Sequence, residues 1–137
     1  MTGLKIGRAF VLLAHGAVGW ALCGAVIGVG RAMISIETTL IVHAAAVPVI
    51  FGLLSAHYFK RFRYTGPLAT AAFFLAFVAA MDALVVALLI EKSFEMFRSL
   101  LGTWIPFALI FLSTYSVGRL LAGLNRLSND RSLSSKD

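Results

Sequence analysis

Apolar residues in this chain come in long unbroken blocks separated by short clusters of charge. The blocks run from Ala9 to Gly30, Thr38 to Phe59, Tyr64 to Ile90 and Ser99 to Gly118, and only the third contains a formal charge, Asp82. At ~1.5 Å of rise per residue, each is long enough to cross a hydrocarbon core of ~30 Å as a helix. Closed barrels are the only other way to satisfy backbone groups in lipid, and the alternation their strands require is absent. The pattern therefore predicts an all-α fold: an integral membrane four-helix bundle with short loops and helices at about 8–30, 38–59, 67–90 and 99–122. Residues 1–122 make one transmembrane domain. Residues 123–137, GLNRLSNDRSLSSKD, are polar and serine-rich and read as a short, mobile cytoplasmic tail.

Local signals refine this plan. Pro67 suits the first turn of helix three, whereas Pro48 and Pro106 each remove a backbone hydrogen bond and predict kinks in helices two and four. The segment EKSFEMFRS, between helices three and four, reads as an interfacial stretch or an extension of helix three. On helix one, Ala17, Ala21, Gly24 and Gly28 form a smooth stripe that contains a GxxxG pair, and on helix three Ala72, Ala76, Ala80, Ala83 and Ala87 form another. Such stripes let helix backbones approach closely, within the chain or in a homo-oligomer or larger membrane complex.

Composition and charge agree with a membrane class. The chain of 137 residues is 60% hydrophobic and 13% charged, with a mean hydropathy of +0.92, where a soluble domain carries about 25% charged residues. A net charge of +6 could suggest nucleic acid, but the cations flank apolar spans and build no recognition helix, so anionic lipid headgroups are the expected partner. Lys5, Arg8, Lys60, Arg61, Arg63, Arg119, Arg126, Arg131 and Lys136 fall on one side of the predicted topology, against Arg31, Lys92 and Arg98 on the other. The positive-inside rule then places both termini in the cytoplasm, across the inner membrane if the source is prokaryotic. Lys5 and Arg8 before an apolar run also suggest a secretory leader, but the uncharged stretch to Gly30 exceeds the ~7–15 residues of a signal core, so a retained helix is expected. Cys23 is the single cysteine, which rules out an intrachain disulfide and any CxxC motif.

Candidate chemistry is confined to a few polar positions inside the spans. Counted from the outer boundary, His43, Cys23 and Asp82 lie at depths of about 7, 10 and 12 Å and so share one layer. With Thr39 they form the candidate proton or solute site. An aspartate this deep needs a partner or a proton, and His43 is the economical choice, in an ion pair or as a tautomer-fixing hydrogen bond. Trp20 is also mid-span and must find a partner for its N–H, while Trp104 reads as an interfacial anchor. One cysteine, one histidine and one aspartate without a ligand-spacing motif predict no metal centre.

A second layer joins His15, His57 and Tyr115 with Ser113, Thr114 and Ser116. His15 and His57 could clamp one b-type haem, or His15 could simply bond Tyr115. The spacing of His43 and His57 resembles that of the paired histidines of dihaem b-type cytochromes. The resemblance covers those two residues alone, and with only His15 left as a partner, two haems are excluded on ligand count. No phosphate-cradling loop, serine elbow or carboxylate pair is present, so no catalytic constellation is expected. Three functions follow as expectations: proton-linked or small-solute transport at His43 and Asp82; a haem- or quinone-handling redox subunit; or a non-catalytic assembly subunit of a membrane complex.

Overall fold

The computed structural model describes residues 2–135 and consists of helices throughout. Lys136, counted above among the basic residues, lies outside the described part. The long elements are α1 (Thr2–Met33), α2 (Ile36–Arg61), α3 (Pro67–Met81) and α4 (Ile105–Ser134). Helix three continues beyond α3 as a π-helical segment, Asp82–Ile90, and α4 is preceded by a short 3-10 turn, Glu95–Arg98, and a π turn, Leu100–Trp104. Four helices are long and apolar enough to cross a membrane.

Local chemistry sets the ends. Ser35 caps α2, its Oγ accepting from the Thr38 N–H at 3.3 Å, while Glu37 in the first turn and Lys60 and Arg61 in the last oppose the helix dipole favourably. After α2 the chain turns through Arg63, whose φ of 52° is left-handed. The Arg63 Nε–H donates to the Phe59 carbonyl at 2.9 Å, satisfying one of the orphan acceptors of the helix end. Gly66 then leads into Pro67, whose ring is preset for a first helical turn.

The rods alternate in direction, as their contacts record. Arg8 lies 5.2 Å from the centre of the Tyr64 ring, His15 meets His57, and Arg31 reaches Glu91. One end of the bundle thus holds both chain ends and the α2–α3 turn, here the terminal end; the other, the far end, holds the α1–α2 and α3–α4 connections. Helix α2 packs between α1 and α4, and α3 packs against α4. Phe51, Tyr58, Phe74, Val47 and Ile110 are buried at the centre, with the rings of Phe51 and Phe74 edge-to-face at 5.8 Å. Outward, Val49, Leu53, Leu84 and Leu112 are exposed, an apolar surface compatible with a lipid environment.

Hydroxyl pairs staple the core. The Ser55 hydroxyl donates to Thr114 at 3.1 Å between α2 and α4, and Tyr58, Thr65 and Thr70 form a chain at 2.9 and 2.7 Å that closes on the Gly66 carbonyl. Each keeps a buried polar atom satisfied where no water reaches.

Two expectations about architecture change. Helix four does not give way to irregular tail at Gly123: α4 runs to Ser134, although residues 123–135 are exposed throughout. Leu, Arg and Asn at 124–127 are compatible with continuing a helix once it has been nucleated upstream, and polarity alone does not stop it. The segment from Glu91 to Arg98 neither extends helix three nor lies as a long interfacial helix; it turns and forms a single 3-10 element. Pro106 lies in the first turn of α4, directly after the π turn Leu100–Trp104, and Pro48 lies inside the assigned α2.

The glycine and alanine stripes are not in close contact with each other. A Cβ placed at Gly24 or Gly28 would meet nothing within 4 Å, and Ala76 and Ala80 are exposed. Close approach happens instead along the seam Leu12, Gly16, Gly19, Cys23 and Gly30. A Cβ at Gly19 would come within 2.6 Å of Phe51, and one at Gly30 within 2.5 Å of Thr39. Gly118 plays the same part on α4, where a Cβ would lie 2.7 Å from Pro67 and 2.8 Å from Phe59. Large rings on α2 decide which glycines are needed, because a ring can lie flat only where the facing residue has no side chain.

Candidate functional site

Trp20 on α1 and Asp82 on helix three sit halfway along their rods and meet directly: the indole N–H donates to Asp82 Oδ1 at 2.9 Å. Asp82 is the first residue of the π segment, whose widened pattern shows in the Glu91 N–H bonding the Val86 carbonyl at 2.8 Å. Such turns are rare and recur at functional sites. At the far end the same two rods are bridged again, by Arg31 Nη1 and Glu91 Oε1 at 2.6 Å. Between these bridges α1 presents Gly24 and Gly28 rather than bulk, and the rods enclose a cavity of about 470 Å³.

That cavity gathers most of the predicted polar layer. Cys23, His43 and Asp82 all line it, together with Trp20, Arg31 and Glu91. The remaining wall is apolar and comes from all four rods, with Val47, Val86 and Phe107 among its members. His43 is 6% exposed, and its Nδ1 has no hydrogen-bond partner among the described residues. An orphaned buried polar atom costs ~1–3 kcal/mol.

The direct His43–Asp82 bond expected from depth is not formed. The two residues line one cavity, but no hydrogen bond joins them, and Asp82 Oδ1 accepts from Trp20 instead. Thr39 does not line the cavity: it is buried against Gly30, its hydroxyl donating to the Ser35 carbonyl at 2.9 Å. The far-end ion pair and the role of Trp20 as donor complete the site. Trp20 was legible as a mid-span N–H in need of an acceptor; the Arg31–Glu91 pair carried no signal beyond two charges bordering neighbouring spans.

The second layer is rearranged too. His15 Nδ1 lies 2.8 Å from the Val11 carbonyl and its Nε2 lies 3.0 Å from His57 Nδ1. The two rings stack at 5.3 Å between centroids, edged by Tyr58 and Phe62. Tyr115, the expected partner of His15, instead stacks on Phe111 at 6.2 Å, one turn away on α4. Haem ligation by this pair would need the two rings to part, since hydrogen-bonded nitrogens leave no space for an iron and its macrocycle. No group of three or more His, Cys, Asp or Glu suited to a metal ion occurs among the described residues.

Together these features define a small bundle of four apolar rods around one polar cavity. Comparison with family models, curated proteins and solved structures finds no match.

Proposed function

We propose that this chain is a multi-pass membrane protein that moves a small solute in a proton-linked manner, with His43 and Asp82 as its working groups. The observation that carries this is a cavity of about 470 Å³ lined by both His43 and Asp82, whose carboxylate is bonded through Oδ1 alone among the described residues. An aspartate at membrane depth costs ~2.5–3.5 kcal/mol unless protonated or partnered. A single hydrogen bond to a charged group returns ~1.5–3 kcal/mol. The Trp20 bond therefore makes the carboxylate tolerable without saturating it, and a proton or a solute can complete its coordination.

Access follows from the two bridges. The Arg31–Glu91 pair closes the far end, and with side chains 52% and 36% exposed it is a surface bridge worth only ~0–1 kcal/mol, so parting it is easy. Toward the terminal end the packed rings of Phe51 and Phe74 fill the bundle. In this reading the basic terminal end faces the cytoplasm and anionic headgroups, as the positive-inside rule favours, and the cavity opens from the opposite side. Reconstituted into vesicles loaded with a pH-sensitive dye, the protein carries a proton flux that Asp82→Asn reduces at least tenfold. Equal flux in both, or none in either, removes this reading.

A second reading draws on the exposed stripe of Ala72, Ala76 and Ala80, which is smooth enough for another helix to lie against. An assembly subunit built on it loses association on Ala76→Leu and is indifferent to Asp82→Asn.

A further inference from the structure

The polar atoms around the cavity are unequal in kind. Arg31 is engaged with Glu91, and the indole N–H of Trp20 is engaged with Asp82 Oδ1. On the cavity wall remain Asp82, whose second oxygen forms no hydrogen bond among the described residues, and the imidazole of His43. An ionised carboxylate can only accept, and a neutral imidazole nitrogen accepts in one of its two tautomers. Arg31 is the one cation among the lining residues, and its charge is met by Glu91, so Asp82 is the charge left without a counter-ion.

We infer that the cavity binds a small lipophilic ammonium ion, and that this ion and a proton are alternative occupants of Asp82. The inference rests on the reading of the cavity as a solute site and names the class of solute. An ammonium group brings the N–H donors that the Asp82 carboxylate lacks and the positive charge that it needs. Its apolar body lies against Val86 and Phe107, and the face of Trp20 favours a nearby cation. The volume of about 470 Å³ lies within the ~300–1,000 Å³ range of small-molecule sites. The exchange balances: an ammonium ion meeting protonated Asp82 yields the ammonium–carboxylate pair and one released proton.

The test uses Trp20 as its own reporter. The chain has 2 tryptophans, so Trp104→Phe leaves Trp20 as the sole indole. This variant, in lipid nanodiscs at pH 7, is titrated with 4-phenylbutylamine, with the neutral 4-phenylbutanol and with the anionic 4-phenylbutyrate. The amine is expected to change Trp20 emission saturably at a concentration at least tenfold below that of the alcohol, with no response to the acid. Asp82→Asn abolishes the response, and Gly28→Leu, which fills the cavity from α1 without touching the carboxylate, does the same. Should Asp82→Asn fail to fold, judged by size-exclusion chromatography, Gly28→Leu and the amine-to-alcohol ratio decide. Equal titration by amine and alcohol, stronger binding of the acid, or an amine response that survives both substitutions overturns the inference. Asp82-dependent proton flux without amine selectivity sinks the ammonium assignment and leaves the carrier; selective amine binding without any flux does the reverse.

Discussion

The indole N–H of Trp20 and the carboxylate of Asp82, 62 positions apart in sequence, are joined at 2.9 Å in the middle of the bundle. Each solves the other's problem: a donor and an acceptor that would both be orphaned in hydrocarbon satisfy one another. Trp20→Phe keeps an aromatic ring, though a smaller one, and removes the donor, and it is expected to lower stability by ~1.5–3 kcal/mol. Thermal unfolding in detergent of Trp20→Phe, Asp82→Asn and the double variant measures the coupling. If the two effects add within ~0.5 kcal/mol, the bond does not contribute.

Glycine to alanine substitutions should split by sign. At Gly24 and Gly28, where a Cβ meets nothing within 4 Å, alanine raises helix propensity and stabilises by ~0.5–1 kcal/mol. At Gly19 and Gly118, where the new atom would fall 2.6 Å from Phe51 and 2.7 Å from Pro67, overpacking costs ~1–3 kcal/mol. Melting temperatures of the four variants check both directions. Stabilisation at Gly19 would contradict the packing described for α1 on α2.

Sidedness is accessible through the single cysteine, which is buried. In a Cys23→Ala background, Glu95→Cys is expected to react with a membrane-impermeant maleimide on intact bacterial cells, and Ser128→Cys only after permeabilisation. The opposite pattern would invert the orientation assigned from the basic residues.

The imidazole pair makes a spectroscopic prediction. With Nδ1 of His15 at 2.8 Å from the Val11 carbonyl, that nitrogen must carry a hydrogen, so in the neutral ring Nε2 accepts and His57 Nδ1–H donates across 3.0 Å. Nitrogen-15 spectra are expected to show both rings in the Nδ1–H tautomer while neutral. An Nε2–H form of His15 would mean that the pair does not exist as placed. Protonating both rings sets N–H against N–H and breaks the contact.

What could be read from the sequence divides along physical lines. The four rods are legible because transfer of an apolar block into lipid is a property of the block alone, and Ala9 to Gly30 carries it whatever its neighbours do. Depth is legible for the same reason: His43, Cys23 and Asp82 share one cavity because counting along a helix gives height. Rotation about each axis is what sequence leaves open. His43 was the partner expected for Asp82, and only the azimuth of each rod selects the indole of Trp20 instead. The same ambiguity hid the packing seam of α1, since Gly16 and Gly19 look no different from Gly24 and Gly28 until Phe51 and Phe77 are seen lying against the first pair. The π segment beginning at Asp82 had no compositional mark, because the widened turn depends on how helix three is held by its neighbours.

Helix α4 does not end with the apolar part of its sequence but runs unbroken to Ser134. At ~1.5 Å per residue, the stretch beyond Ala122 carries its tip ~18 Å past the last apolar turn. A rod so mounted is a lever with its fulcrum in the bundle: a 10° swing of the inner portion, about the size of a domain rock, sweeps the tip through roughly 3 Å. Motions too small to see among packed side chains become measurable there, and anything that grips the outer arm gains mechanical purchase on the chamber inside.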